Sequence, residues 1–377
     1  MKDVRTWIEI DAKALRHNAE QFLKLIPPAA RFMAVVKSNA YGHGLVYVAK
    51  ALLALRSFSE EGWFGVDSIV EALRLRREGI KNPILVLGLT LPSRLTEAVT
   101  NGIALTISNF DALEVLAALK NRPPIHIKID TGMHRQGFLP HQTRELIKLL
   151  KLYKLFPHGV YTHFASAKDP ADPAYTELQL SRFQTVLAHF DRAGIKSLIR
   201  HAASSGGVLL FPESHLDMVR IGMGLYGYYP SEGLGIRDEE SGVMLKPVLT
   251  WKTIVGEVKE IPKGSYVGYD GTERVERATR IAVLPIGYWH GYDRVLSSIG
   301  EVLICGRRTK VLGRVSMDMT VVDVTDVNGK PKTGDEVVII GEQGREAIWA
   351  DEIADKIGTT QYELLTRINP LIKRIAV

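Results

Sequence analysis

Cysteine is nearly missing from this chain: there is one, Cys305, in 377 residues. A lone thiol cannot close an intrachain disulfide, so the disulfide-stapled secreted class is excluded and a reducing compartment fits. Cys305 lies in the strand-like run Val302-Leu-Ile-Cys-Gly and is expected to be a small core residue. Long apolar runs are missing too. None approaches the roughly 20 residues of a membrane-spanning helix. No basic stretch leading into an apolar one opens the chain, so neither membrane insertion nor export is expected, and the reading is cytoplasmic. A basic stripe interleaved with stacking aromatics is also lacking, which argues against nucleic acid. The excess of 48 basic over 42 acidic residues gives a formal charge of +6, which favours anionic ligands only weakly. Arg74-Leu-Arg-Arg77 sits on a helix-like segment and reads as a solvated face. No low-complexity segment occurs, and no metal site is expected.

Apolar residues make up 46% of the chain and charged ones 24%, the balance of a soluble globular protein long enough for two domains. The first two-thirds alternates short apolar or β-branched runs with amphipathic stretches. Strands are expected at Phe32–Val36, Trp63–Val66, Ile84–Leu87, Ala104–Ile107, His126–Ile129, Gly159–Thr162, Leu198–Arg200 and Leu216–Val219. Helices are expected at Ser68–Glu78, Phe110–Lys120 and Ala174–Arg192. Eight strands with room for a helix after each predict a (β/α)8 barrel, with the eighth helix poorly marked. An open doubly wound sheet is the alternative, but no Gly-x-Gly-x-x-Gly fingerprint follows the first strand.

Beyond Pro230 the rhythm changes. A Gly-rich link, Ser231–Gly242, leads to strand-like runs Trp251–Glu260, Arg280–Leu284, Glu301–Ile304, Met319–Val324 and Glu336–Ile340, then a short helix Trp349–Ile357. The expected division is a barrel domain over 1–236, its first few residues free to pack on the second domain, and a mainly-β domain over 237–377.

One segment stands out: Ala34-Val-Val-Lys37-Ser-Asn-Ala-Tyr41-Gly-His-Gly44. A lysine at the end of a buried parallel strand has to be exposed, paired or covalently used. Tyr41 brings a phenol to the same mouth. Barrel chemistry gathers at the C-terminal ends of the strands, where Lys128, Arg135, His163, Ser204, Ser205 and Arg220 also fall. Singly, each has an ordinary reading: a solvated lysine, a core histidine, an arginine paired with Asp217, a packed turn tyrosine at Tyr269.

Together they do not. The Lys37 segment resembles the pyridoxal-phosphate lysine motif of the alanine racemase family. Further motifs resembling that family follow in order: Lys128-Ile-Asp-Thr-Gly-Met-His-Arg135-Gln-Gly, Thr162-His163-Phe-Ala, Val219-Arg220-Ile-Gly-Met-Gly-Leu-Tyr-Gly227, Val267-Gly-Tyr269, Pro285-Ile-Gly-Tyr288, Gly313-Arg-Val-Ser-Met317-Asp318 and Thr360-Gln-Tyr362-Glu. The resemblance implies pyridoxal 5'-phosphate bound to Lys37, with Lys37 and Tyr269 as the two bases on opposite faces of an amino-acid substrate. Tyr269 is contributed across the interface of a homodimer in that family. Arg220 is implied to face the pyridine nitrogen, with His163 linking it to Tyr269. Tyr41, Ser205, the Gly222 and Met223 amides and Tyr362 are implied to hold the phosphate, Arg135 and the Met317 backbone the substrate carboxylate, and Tyr288 to shape the entrance. The lysine matching Lys128 is often carbamylated in the family.

The chain departs from the pattern at Ser38, Ser204, Asp270, Trp289 and His290. The last three are expected to narrow or re-charge the entrance. The implied function is alanine racemisation supplying D-alanine for peptidoglycan. A broader-range racemase and a non-catalytic pyridoxal-phosphate-binding protein are alternatives. A decarboxylase of the same barrel class is disfavoured by Arg220 and by the lack of a suitable cysteine.

Overall fold

The structure, a computed structural model, describes residues 4–169, 171–230 and 242–377. Its strands are β1 (Thr6–Ile10), β2 (Arg31–Val35), β3 (Trp63–Val66), β4 (Ile84–Val86), β5 (Ala104–Ile107), β6 (Ile125–Lys128), β7 (Gly159–Tyr161), β8 (Ile199–His201), β9 (Met218–Ile221), β10 (Leu249–Ile254), β11 (Glu257–Ile261), β12 (Tyr266–Val267), β13 (Glu273–Arg274), β14 (Thr279–Leu284), β15 (Glu301–Ile304), β16 (Arg307–Lys310), β17 (Thr320–Asp323), β18 (Glu336–Gln343), β19 (Glu346–Ile348) and β20 (Lys373–Ala376). The chain divides into two compact units. One comprises Lys13–Ala40 and Val48–Pro247, the other Met1–Ala12, Tyr41–Tyr47 and Val248–Val377.

The first unit is a barrel of eight parallel strands in the order β8-β7-β6-β5-β4-β3-β2-β9. The ring is brought together by Asp217 N donating to Arg200 O and Arg220 N to Ala203 O, both at 3.0 Å. Buried on both faces, such strands read as near-continuous apolar runs, which is why Ile84–Val86 and Ala104–Ile107 were legible. Met33, Leu85, Ala104 and Met218 pack with Trp63, Leu87 and Ile199 as one core layer. The helix Ala174–Arg192 forms with the bounds expected. After β9 the described residues hold a 3-10 turn, Met223–Tyr226, in the stretch where the sequence marked the eighth helix poorly.

The second unit is built on strands of the β-rich half. Its main sheet runs β16-β15-β18-β10-β1-β20, with β19 beside β18; a three-stranded sheet β11-β14-β17 and the β12-β13 hairpin complete it. Strand β1, which the sequence left unassigned, pairs antiparallel with β10 and parallel with β20. The run Trp251–Glu260 is two strands rather than one. It breaks at Val255-Gly256, where Val255 N turns to Asp335 O and Gly256 N to Val283 O, both at 2.8 Å, so the chain leaves one sheet for another. Cys305 is not a core residue. It is exposed, at φ 52° beside Gly306 at φ 71°, in the two-residue turn between β15 and β16. The right-handed strand twist favours two left-handed residues there. Residues 231–241 of the expected link, and with them the 236/237 boundary, lie outside the described residues.

Candidate active site

Strand order carries the barrel-side residues to one end. Lys37 lies one residue past β2, after Val36, and is partly buried. Lys128 ends β6 with only 6% exposure, its Nζ 3.1 Å from Gln136 Oε1 and 5.5 Å from the Tyr161 ring centre. The loop after it is folded back by the Asp130 carboxylate, which accepts from the main-chain N–H groups of Gly132, His134 and Arg135 at 2.9–3.0 Å. Burial first, and then Arg135, Arg220 and Lys37, lower the Lys128 ammonium to about 8, against an opposing effect of Asp130.

Arg220, on β9, is 3% exposed and makes no bond to Asp217, whose carboxylate instead accepts from Arg200 N at 2.8 Å. Its guanidinium donates to Thr162 O and Ala202 O at 2.8 Å, to His163 Nδ1 at 3.2 Å and to His201 Nδ1 at 3.0 Å. A guanidinium only donates, so both histidine Nδ1 atoms accept and both neutral rings carry their proton on Nε2. His201 Nε2 then donates to His126 Nδ1 at 2.9 Å. Tyr161 lies flat on His201 with ring centres 4.6 Å apart. Burial, aided by Arg220, holds His163 and His201 well below the usual histidine range and His126 at about 3. These bonds use Nη1 and Nη2, and the Arg220 Nε–H has no protein acceptor among the described residues. Sequence reasoning missed His126, Tyr161, His201 and Gln136. His201 and Tyr161 each end a barrel strand, the position at which Lys37 had been noticed.

Ser205 opens the helix Ser205–Leu210. Its Oγ accepts from Gly222 N at 3.1 Å and from Gly224 N at 3.3 Å. With both acceptor sites filled, the hydroxyl hydrogen is left to donate outward. Gly222 N–H is thus already bonded, and Met223 N–H has no protein acceptor among the described residues.

The remaining residues belong to the second unit. Lys37 is joined to Tyr41 by a left-handed turn: Ser38, Asn39, Ala40 and Tyr41 have φ of 52–55°. Non-glycine residues pay roughly 1–2 kcal/mol each for that conformation, a strain that persists only where surroundings over-determine it. Tyr41 and Tyr362 face each other with ring centres 6.2 Å apart. Tyr269 is 67% exposed in a turn after Gly268 (φ 77°), and Asp270 beside it pairs with Arg314 at 2.8 Å. Tyr288 N donates to Ser316 O and Trp289 N to Met317 O, which brings the Tyr288 and Met317 segments together. A Cβ on Gly287 would lie 2.1 Å from Ser316 O, so only glycine permits this approach. Trp289 and His290 line a cavity of about 300 Å³ with Arg5, Thr6, Leu371 and Lys373.

Burial first, and then Arg220, Lys128, Arg135 and Lys37, lower the His163 pKa, so the partly buried imidazole sits in a cationic surrounding. A primary amine, a buried guanidinium with a spare N–H and an outward serine hydroxyl make a donor set for a group carrying a carbonyl, an acceptor nitrogen and several anionic oxygens. Pyridoxal phosphate fits it.

Residues 10–230 match the family model described as alanine racemase, N-terminal domain, and residues 248–376 the one for the alanine racemase C-terminal domain. The chain belongs to the alanine racemase family. It is 42% identical to the alanine racemase of Carboxydothermus hydrogenoformans, the match covering 98% of this chain and 99% of that one. A solved alanine racemase of Bacillus anthracis with bound L-Ala-P is 33% identical, with a TM-score of 0.91 over 99% of this chain and 95% of the other. Another, from Bartonella henselae with covalently bound pyridoxal phosphate, is 27% identical, with a TM-score of 0.85 over 99% and 100%. Like those proteins, the chain pairs the racemase barrel with a mainly-β second half. Among its described residues no helix is long and apolar enough to cross a membrane.

Proposed function

We propose that this chain interconverts L- and D-alanine with pyridoxal phosphate held covalently by Lys37, working as a cytoplasmic homodimer that supplies D-alanine for peptidoglycan. The buried Arg220 guanidinium, held by His163, His201 and two main-chain carbonyls and lacking a carboxylate partner among the described residues, carries the reading. The bound cofactor supplies an electron-withdrawing ring conjugated to the substrate nitrogen.

The chain's own groups do the rest. The Lys37 amine takes or returns the Cα proton on one face and the Tyr269 phenol on the other, so inversion needs no turning of the substrate. The Nε–H of Arg220 would be the donor available to the pyridine nitrogen; as a guanidinium gives up no proton, it would limit electron withdrawal and favour proton return at Cα. His163, fixed by Arg220, orients Tyr269. Arg135 and the Met317 backbone hold the carboxylate, and Tyr288 shapes the entrance. Tyr41, Ser205, the Met223 amide and Tyr362 hold the phosphate, Ser205 through its outward hydroxyl; the Gly222 amide, already donating to Ser205 Oγ, acts by holding that hydroxyl in place. The proposed division keeps the barrel domain over 1–236 and the mainly-β domain over 237–377.

Arg220→Glu tests this. A carboxylate there keeps the pyridine nitrogen protonated. Racemisation should fall by about 10²–10³-fold, the scale for removing a preorganised donor, and pyruvate should appear as the side product in a coupled assay. Unchanged racemisation with no pyruvate would remove Arg220 from the mechanism.

Lys128 is proposed to carry a carbamate: its nitrogen bonds to the carbon of CO2 and releases a proton, leaving an anion beside Arg135. Carbon-13 NMR on protein equilibrated with labelled bicarbonate should show it. In CO2-free buffer the free amine has a second signature. Its pKa is lowered from 10.5 to about 8 by folding, so between those values the unfolded chain holds more protons than the folded one. The stability of wild type relative to Lys128→Gln should therefore rise with pH through that window and stay level below it. A flat difference across it would contradict the shift.

A further inference from the structure

The second unit contains a buried cation with no role in the scheme above. Arg374, on β20, is 5% exposed. Its Nε and Nη2 donate to Gly42 O at 3.1 and 2.9 Å, its Nη1 to Asn369 O at 2.7 Å and Ile372 O at 2.6 Å, and its Nη2 also to Ile368 O at 3.4 Å. Five donors meet five acceptor contacts, which uses the whole guanidinium fork. Every acceptor is a main-chain carbonyl. Burial lowers the guanidinium to about 10, so it remains charged at neutral pH.

The carbonyls belong to two segments. Gly42 directly follows Tyr41. Ile368, Asn369 and Ile372 follow the helix Gln361–Thr366 that bears Tyr362. The fork thus ties the tyrosine-bearing loop to the tyrosine-bearing helix. Gly42 is enclosed from the other side as well: at φ 85°, a Cβ on it would lie 2.1 Å from Leu365 O. Gly44 packs on the Arg374 stem, a Cβ there falling 3.6 Å from Arg374 Cγ.

We propose that Arg374 is a positioning residue for phosphate binding, fixing the spacing of the Tyr41 and Tyr362 phenols before the cofactor arrives. The proposal rests on the functional reading above in assigning those phenols to a phosphate. Fixing both hydroxyls in advance removes an ordering cost from binding. It also places a fixed positive charge in the segment that meets the anion. A lysine cannot substitute, because three donors on one nitrogen cannot span both sets of carbonyls.

The test compares wild type, Arg374→Lys and Arg374→Met as full chains stripped of cofactor. Affinity is measured spectroscopically for pyridoxal phosphate and for pyridoxal, which lacks the phosphate. Both variants should bind pyridoxal phosphate at least about tenfold more weakly while pyridoxal affinity stays within about twofold. Equal loss for both ligands, or no loss for either, overturns the proposal. Failure of wild type itself to load pyridoxal phosphate overturns the functional reading and this inference with it. A measurement on wild type alone guards against variants that do not fold. Hydrogen exchange over residues 41–47 should already be slow without cofactor and slow by no more than about threefold on loading. Rapid exchange that is quenched only by pyridoxal phosphate would show that the cofactor orders the loop, and the proposal would fail.

Discussion

Lys37→Ala is expected to lower alanine racemisation by at least about 10⁴-fold, because it removes both the covalent anchor and one of two bases, each on the scale of a positioned catalytic group. The measurement is D-alanine formation from L-alanine in deuterated water on cofactor-loaded protein, with solvent deuterium at Cα followed in parallel. The lysine sits one residue beyond the end of β2, after buried Val36, and precedes four left-handed residues. Externally added methylamine should restore part of the proton transfer without restoring the anchor. Racemisation kept within tenfold of wild type would end the assignment of Lys37. Neither D-alanine nor exchange at Cα in the wild-type chain would redirect the search to another amino acid.

Tyr269→Phe removes only the second base, so its signature is asymmetric. Racemisation should fall by about 10²–10⁴-fold. One alanine enantiomer should still exchange its Cα hydrogen with solvent, through Lys37, without inversion. The other should become inert. Stability should change by less than about 0.5 kcal/mol, because the phenol is 67% exposed in its own chain and supports no core. Equal slowing of exchange for both enantiomers would contradict opposite-face bases. Wild-type rates in the variant would remove Tyr269 altogether. Read together, the two variants separate the anchoring role from the proton-transfer roles.

The entrance departures lead elsewhere than expected on one point. Asp270 pairs with Arg314, so the added acid is neutralised locally rather than left to re-charge its surroundings. His290 accepts from Gly287 N through Nδ1 at 3.2 Å, and so caps the turn that ties Tyr288 to Ser316. Trp289 is 57% exposed and contributes its bulk to the cavity edge.

Much was legible in the order of residues because it depends on neighbours in sequence. The barrel was readable from eight apolar runs at helix-sized intervals, since buried parallel strands need no partner-specific signal. Glu301–Ile304 and Ala174–Arg192 were placed to the residue. Lys37 drew attention by its position alone, and the ordered motifs carried the family. Tertiary structure decided what depends on distant segments. β1 joins strands more than 200 residues away, and five ordinary strand residues cannot announce such a partner. The histidine chain from Arg220 through His201 to His126 joins three separate strands, and the protonated nitrogen on each ring follows only from who donates to whom. The left-handed turn after Lys37 contains no glycine until Gly42, so no composition rule marks it. Arg374 looks like a tail residue until the fold gives it five carbonyl contacts. Strand periodicity is a local property and survives in the sequence. Hydrogen-bond satisfaction of buried polar groups is a long-range one, and it exists only once the chain has closed around them.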